Sequence, residues 1–184
     1  SCKLQIFYNR CNYICMEDIP EKPLKAKDEN AVTDDPAVIA AKKFFNIDYL
    51  YPWQRLVIAN ILDAAASLTN KDAGDGNEAL RKQIVLLPTG AGKSLCFLIP
   101  AMLLPGATLV MYPLLALMSD QKRRMDEGGI SNVIFRGGQS GEEREENFKK
   151  IENGAKIILA NPEVLQNKQL VERLSKCSII HAAI

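Results

Sequence analysis

From residue 84 onward the chain alternates short apolar runs with longer amphipathic or charged segments, and no other feature constrains the fold as strongly. The runs are Ile84–Leu87, Thr108–Tyr112, Asn132–Phe135, Lys156–Ala160 and Ser178–Ile184. Between them the spacing predicts helices over Lys93–Leu104, Leu114–Glu127, Gly141–Glu152 and Gln169–Leu174, the second stopped by Gly128-Gly129. A strand that is apolar along its whole length has both faces covered, which calls for a parallel sheet between helices. The expected class is a doubly wound α/β domain, a parallel sheet flanked by helices.

Upstream the signals are local. Asp34 or Asp35 can cap a helix with Pro36 in its first turn, running to about Phe45. A second helix is expected over Trp53–Ser67, with Leu56, Ile58, Ala59, Ile61 and Leu62 on its apolar side. Thr69–Asn77, with Gly74 and Gly76, reads as an exposed loop, and the charged stretch Glu17–Asn30, with Pro20 and Pro23, as a linker. The expected organisation is a short N-terminal appendage over 1–30 and one domain over 31–184.

Composition excludes little. An apolar fraction of 47% is enough to bury a core, and a net charge of +1 neither demands nor forbids a nucleic-acid partner. The five cysteines, at 2, 11, 15, 96 and 177, are odd in number and irregular in spacing, as in a reduced intracellular protein of cytoplasm or nucleus. Cys2, Cys11 and Cys15 match no standard zinc-finger spacing, and Cys96 reads as core packing. No apolar run approaches the ~20 residues that cross a bilayer, so no membrane partner is expected.

The chemistry concentrates in Leu87-Pro88-Thr89-Gly90-Ala91-Gly92-Lys93-Ser94, between an apolar strand and a helix. A helix start offers unpaired N–H groups and a partial positive charge. Gly90 and Gly92 can adopt angles closed to other residues, turning successive N–H groups toward phosphates. Lys93 is placed to reach the β- and γ-phosphates of a nucleotide such as ATP, and the Ser94 hydroxyl to ligate Mg²⁺. Leu87 stands where the full phosphate-loop pattern has its first glycine.

The run Pro88-Thr-Gly-Ala-Gly-Lys-Ser94 and its continuation to Leu104 resemble the RecQ-type DNA helicases of helicase superfamily 2. Tyr112-Pro-Leu-Leu-Ala-Leu-Met-Ser-Asp-Gln121 resembles the family's motif Ia, Ala160-Asn-Pro-Glu-Val-Leu165 its motif Ib, and Phe45–Gln54 its N-terminal motif 0. Together they cover residues 45–165 in the family's order.

The resemblance implies a RecA-like phosphate-loop domain of an ATP-dependent DNA helicase. Such an enzyme couples ATP hydrolysis to 3′-to-5′ movement on single-stranded DNA, in DNA repair and recombination. It implies nucleotide contacts from Gln54, Thr89, Gly90, Ala91, Gly92, Lys93, Ser94 and Leu95, with Lys93 and Ser94 catalytic and Ser94 on Mg²⁺. Gln54 is expected to read the adenine edge, unless it is simply an exposed helix residue. Ile47 and Tyr51 stand where the family has an aromatic ring and an arginine, and Tyr51 or Trp53 could supply a ring.

Single-stranded or duplex DNA is expected at Pro113, Leu114, Ser119, Gln121, Asn161, Pro162 and Glu163. Ser119 replaces a lysine common in the family, and Pro162-Glu163 could equally be a plain strand-to-helix turn. Lys122, Arg123 and Arg124, like Glu142–Glu146, read as solvated faces, and His181 as a satisfied core histidine. In the family the last strand leads into an Asp-Glu-x-His box, so a chain ending at Ile184 is expected to be a partial motor domain with little activity alone. Two other readings stay open: an RNA helicase or another superfamily 2 translocase, and a non-catalytic nucleic-acid-binding module.

Overall fold

The computed structural model describes residues 12–15, 35–69 and 82–184. They fall into two compact units that divide between Leu103 and Leu104. The expected loop beyond Thr69, the linker Glu17–Asn30 and the side chains of Cys2, Cys11 and Cys15 lie outside the described residues.

In the first unit, helix α1 (Pro36–Phe45) is capped by Asp35, whose Oδ1 accepts from the Ala37 N–H at 2.9 Å. It ends at Asn46, whose φ of 54° is a left-handed conformation that asparagine tolerates. Ala37, Ala40 and Ala41 recur at helical spacing and pack with Leu50, Ile58 and Ile99. Helix α2 (Pro52–Thr69) begins one residue before its expected start and ends two residues beyond its expected end, and α3 (Lys93–Leu103) packs against both α1 and α2.

Strand β1 (Asn12–Cys15) pairs in parallel with β2 (Gln83–Leu86), Asn12 opposite Gln83. The expectation that β2 is covered on both faces needs correction. Val85 packs against the cluster of Trp53, Val57, Leu87, Ala91 and Cys96, whereas Ile84 and Leu86 are 39% and 52% exposed. In a two-stranded ribbon with its packing on one side, the alternation of side chains turns every second residue outward.

The second unit is the parallel sheet the apolar runs demand. Strands β3 (Ala107–Met111), β4 (Asn132–Phe135), β5 (Ile157–Ala160) and β6 (Ile179–Ala183) lie in the order β4-β5-β3-β6, all parallel. Every residue of β5 is buried, so both faces are covered. Helices α5 (Gly141–Glu152) and α6 (Lys168–Ser175) supply Phe148, Ile151, Leu170 and Leu174 against Val133, Phe135, Ile158 and Ala160. Helix α4 (Leu115–Glu127) packs against β4 and β5 and buries Met118 and Met125. Each large side chain so buried contributes roughly 1.5–3 kcal/mol.

The caps are those the sequence encodes. Ser140 and Glu143 form a reciprocal capping box on α5, and Asn167 caps α6. Arg173 joins α6 to α5 by a two-pronged pair with Glu145, at 2.7 and 3.2 Å, while lying over the Phe148 ring. His181, on β6, is half-buried and bonded through Nδ1 to Thr108 Oγ1 at 3.3 Å, and burial pushes its pKa down to about 4. It is neutral at physiological pH and has a hydroxyl partner, but it sits at the half-buried margin of the core and not within it.

Candidate functional site

The loop between β2 and α3 has the backbone the glycines make possible. Gly90 and Gly92 take φ values of 83° and 71°, both left-handed, and α3 starts at Lys93 immediately afterwards. Thr89, Gly90, Gly92 and Lys93 are exposed, whereas Ala91 is buried and Ser94 and Leu95 are half-buried in the first turn of α3. The Lys93 ammonium donates to the Leu87 carbonyl at 3.0 Å and to the Pro88 carbonyl at 3.2 Å. An ammonium carries three donors, so one remains after these two bonds.

Leu87, the departure from the full glycine pattern, has a packing reason. It is buried in the cluster with Trp53, Val57, Ala91 and Cys96, and its carbonyl accepts from Lys93. Cys96 is the core residue expected, and burial pushes its thiol pKa up to about 11.

Gln54 is not an exposed helix residue. It is 2% exposed, its Oε1 accepts from the Tyr51 N–H at 3.0 Å, and its Nε2 donates to the carbonyls of Ala91 and Gly92 at 3.2 and 3.3 Å. The partners settle which amide atom is which, because an N–H needs an acceptor and two carbonyls need a donor. Trp53 adds a parallel tie, its indole N–H donating to the Ala91 carbonyl at 3.3 Å. Tyr51 stacks on Trp53 with ring centres 4.4 Å apart, and Ile47 packs in the neighbouring α1 cluster. A Cβ on Gly92 would meet the Gln54 Nε2 amide, so a side chain there would have to move that amide off the Ala91 and Gly92 carbonyls. Nothing local in the sequence signals that Gln54 and Trp53 turn onto the loop.

The residues expected to meet DNA lie in the second unit. Because its strands are parallel, the segments after β3, β4 and β5 leave from one edge of the sheet, where α/β folds bind ligands. Pro113 and Leu114 follow β3 and are exposed, as are Pro162 and Glu163 beyond β5. Ser119 is exposed and Gln121 half-buried on α4. Among the described residues no side chain caps α4, unlike α1, α5 and α6, so its first N–H groups lack a side-chain partner. Asn161 is 3% exposed and its Nδ2 donates to Glu163 Oε2 at 3.1 Å, leaving Oδ1 buried without a partner among the described residues. Tyr112 Oη is likewise buried and unpartnered, and burial pushes its pKa up to about 12.

Lys122, Arg123 and Arg124 pair within α4 with Asp126, Asp120 and Glu127, which is the behaviour of a solvated face. The hydrogen bond from Arg123 holds the Asp120 carboxyl below its usual range. Sequence reasoning passed over a third loop on this edge, Arg136-Gly137-Gly138 after β4. There Gln139 bonds the Arg136 N–H and the Ile134 carbonyl, both at 2.9 Å, and Gly138 has a φ of 78°. The double glycine after an apolar run was its one available signal.

Among the described residues no group of histidine, cysteine and carboxylate side chains could hold a metal by itself, and no helix is long and apolar enough to cross a membrane. Comparison with known proteins places these features in a family. Residues 51–180 match the DEAD/DEAH box helicase model, a span that holds Gln54, the glycine loop and the sheet edge alike. The chain is 43% identical over 89 residues to ATP-dependent DNA helicase Q-like 5 of Arabidopsis thaliana, covering 48% of this chain and 10% of that protein. It is 34% identical over 108 residues to ATP-dependent DNA helicase RecQ of Bacillus subtilis, covering 58% and 18%. A putative ATP-dependent DNA helicase Q1 of Caenorhabditis elegans matches at 29% over 164 residues, 82% of this chain and 24% of that protein. The chain thus spans a quarter or less of the relatives it matches. The match to the family model over most of its length, with the glycine loop at a helix start and a parallel sheet flanked by helices, shows that the chain belongs to the DEAD/DEAH box helicases and resembles their RecQ-type members.

Proposed function

We propose that the chain is the ATP-binding part of an ATP-dependent DNA helicase of RecQ type. The observation that carries this reading is the loop itself: two left-handed glycines, an ammonium anchored beside them, and a helix beginning at Lys93. The backbone N–H groups of Thr89–Leu95 cradle the polyphosphate, and the free donor of Lys93 reaches its terminal oxygens. The Ser94 hydroxyl, in the first turn of α3, is the protein's ligand to Mg²⁺, which when bound neutralises charge on the phosphates. Lys93 and Ser94 are the catalytic residues of this chain in the sense that both touch the nucleotide.

DNA runs along the carboxyl edge of the four-stranded sheet, over Pro113, Leu114, Ser119, Gln121, Asn161, Pro162 and Glu163. The uncapped start of α4 and the Ser119 hydroxyl donate to its phosphates, since phosphate offers acceptors only. Movement is 3′ to 5′ and serves repair or recombination.

ATP hydrolysis by the full-length protein, with and without single-stranded DNA, tests this. Hydrolysis stimulated by DNA is expected, together with displacement of a strand from a duplex bearing a 3′ tail. Stimulation by RNA and not by DNA would overturn the substrate, and displacement only with a 5′ tail would overturn the direction.

A further inference from the structure

We infer that Gln139 stands in for a fifth strand at the β4 end of the four-stranded sheet and keeps a second copy of this chain from pairing there. The inference is independent of the nucleotide and DNA readings. In the order β4-β5-β3-β6, β4 is an edge strand. Such a strand leaves a row of N–H and C=O groups without ladder partners, a template for another chain. The Ser131 carbonyl, just before β4, accepts from the Lys156 N–H on the β5 side at 3.0 Å. Directions alternate along a strand, so Asn132, Ile134 and Arg136 turn their backbone groups to the free edge. In a parallel ladder, one residue of the neighbouring strand donates to a carbonyl and accepts from the N–H two residues further along. The Gln139 amide does both. Its Nε2 donates to the Ile134 carbonyl and its Oε1 accepts from the Arg136 N–H, each at 2.9 Å. A left-handed turn at Gly138, with φ of 78°, brings the chain back alongside the strand it has just left.

Two further carboxamides serve the same edge. Buried Asn147, on α5, donates to the Ile134 carbonyl at 2.7 Å, and Asn132 donates its Nδ2 to the Ile130 carbonyl at 2.9 Å. A carboxamide suits the task because it carries the N–H donors and the carbonyl acceptor of the backbone it replaces. The run being shielded, Asn132-Val133-Ile134-Phe135, is uncharged and rich in β-branched and aromatic residues, the composition that pairs readily with another chain. The occupant excluded is a second copy, because two identical edges related by a two-fold axis meet as a self-complementary antiparallel pair.

The test is sedimentation velocity of the full-length protein over a range of concentrations, with hydrogen exchange read by mass spectrometry on peptides covering 130–136. Gln139→Ala combined with Asn147→Ala uncovers the edge. At low concentration these amides should exchange about tenfold faster than in the parent, as the loss of about one hydrogen bond allows. At high concentration a species of twice the parent's mass should form, with exchange over 130–136 slowed again because the second copy's strand has replaced the amide. Gln139→Lys combined with Asn147→Ala loses the same amides but sets a charge on the edge, which repels strand addition. It should exchange as fast as the alanine variant while keeping the parent's mass. An alanine variant that keeps the parent's mass at every concentration overturns the inference. So does a larger species whose amides over 130–136 stay fast, since association would then lie elsewhere. Equal association of the lysine variant overturns it as well, because loss of packing at Asn147, and not an open edge, would be the cause.

Discussion

Around Gly92 both polar atoms of the buried Gln54 amide meet partners, whereas at the carboxyl edge of the four-stranded sheet Tyr112 Oη and Asn161 Oδ1 are buried and meet none among the described residues. An unsatisfied buried polar atom costs about 1–3 kcal/mol, so the first region has been relieved of a penalty that the second retains. The loop is organised in advance: its glycine turn, its ammonium and its clamp are all held by the chain's own groups. The sheet edge holds an uncapped helix start, exposed Leu114, Leu115 and Leu117, and a hydroxyl with nothing to donate to among the described residues. One region is built to receive a small charged ligand with little rearrangement. The other gains most when something large covers it.

The largest effect should come from breaking the first region at its charge. In Lys93→Ala the loop loses its ammonium while the Ala91 and Gly92 carbonyls keep Gln54. Removing a preorganised charge from a phosphoryl-transfer site should lower kcat for ATP hydrolysis by about a hundredfold or more. Stability should move by no more than about 1 kcal/mol, because water can serve the Leu87 and Pro88 carbonyls in place of the ammonium. A variant that retains kcat would show that the anchored lysine is only a structural tie.

Next in size is a pair of glycine substitutions that tests the clamp. Gly90→Ala adds a Cβ that meets nothing within 4 Å, so its cost is that of the left-handed backbone, about 1–2 kcal/mol. Gly92→Ala carries the same backbone cost and drives a Cβ into Gln54 Nε2, displacing a buried amide for roughly 1–3 kcal/mol more. Urea denaturation should rank Gly92→Ala clearly below Gly90→Ala. Equal losses would mean that Gln54 yields without cost and the loop is not clamped.

What could be read from the sequence follows how local each cause is. The start of α1 is written in Asp35-Pro36, that of α5 in Ser140 and Glu143, and the end of α4 in Gly128-Gly129, because caps involve neighbours. The glycine loop was equally legible, since strand, loop and helix are contiguous. The pairing of Asn12–Cys15 with Gln83–Leu86 was not, because parallel pairing joins segments far apart in the chain and leaves no local mark. Leu87 is legible in the sequence only as a departure from the full glycine pattern, and its burial beside Trp53 and Val57 is a packing fact. Gln54 could be singled out by likeness to a family, yet its burial against a loop distant in sequence is a packing fact that no spacing encodes. The exposed face of β2 escaped for the same reason: an apolar run states what could be buried, and the partners decide what is.

The smallest effect addresses the second region. Tyr112→Phe removes a hydroxyl that has no partner among the described residues, so it should leave stability unchanged or raise it by roughly 1 kcal/mol. Most tyrosine-to-phenylalanine changes at bonded sites go the other way, which makes the sign informative. The same hydroxyl is a donor throughout the physiological range, since burial pushes its pKa up to about 12 and keeps the proton on. If the edge receives DNA, that donor is available to a phosphate oxygen, and losing it should weaken single-stranded DNA by about fivefold, near 1 kcal/mol. Fluorescence anisotropy with a labelled oligonucleotide, set beside urea denaturation, reads both quantities on one variant. Higher stability with weaker DNA binding marks a group left unsatisfied in the free protein for use in the complex. A loss of stability would place a partner for Tyr112 inside the protein, and the contrast between the two regions would then disappear.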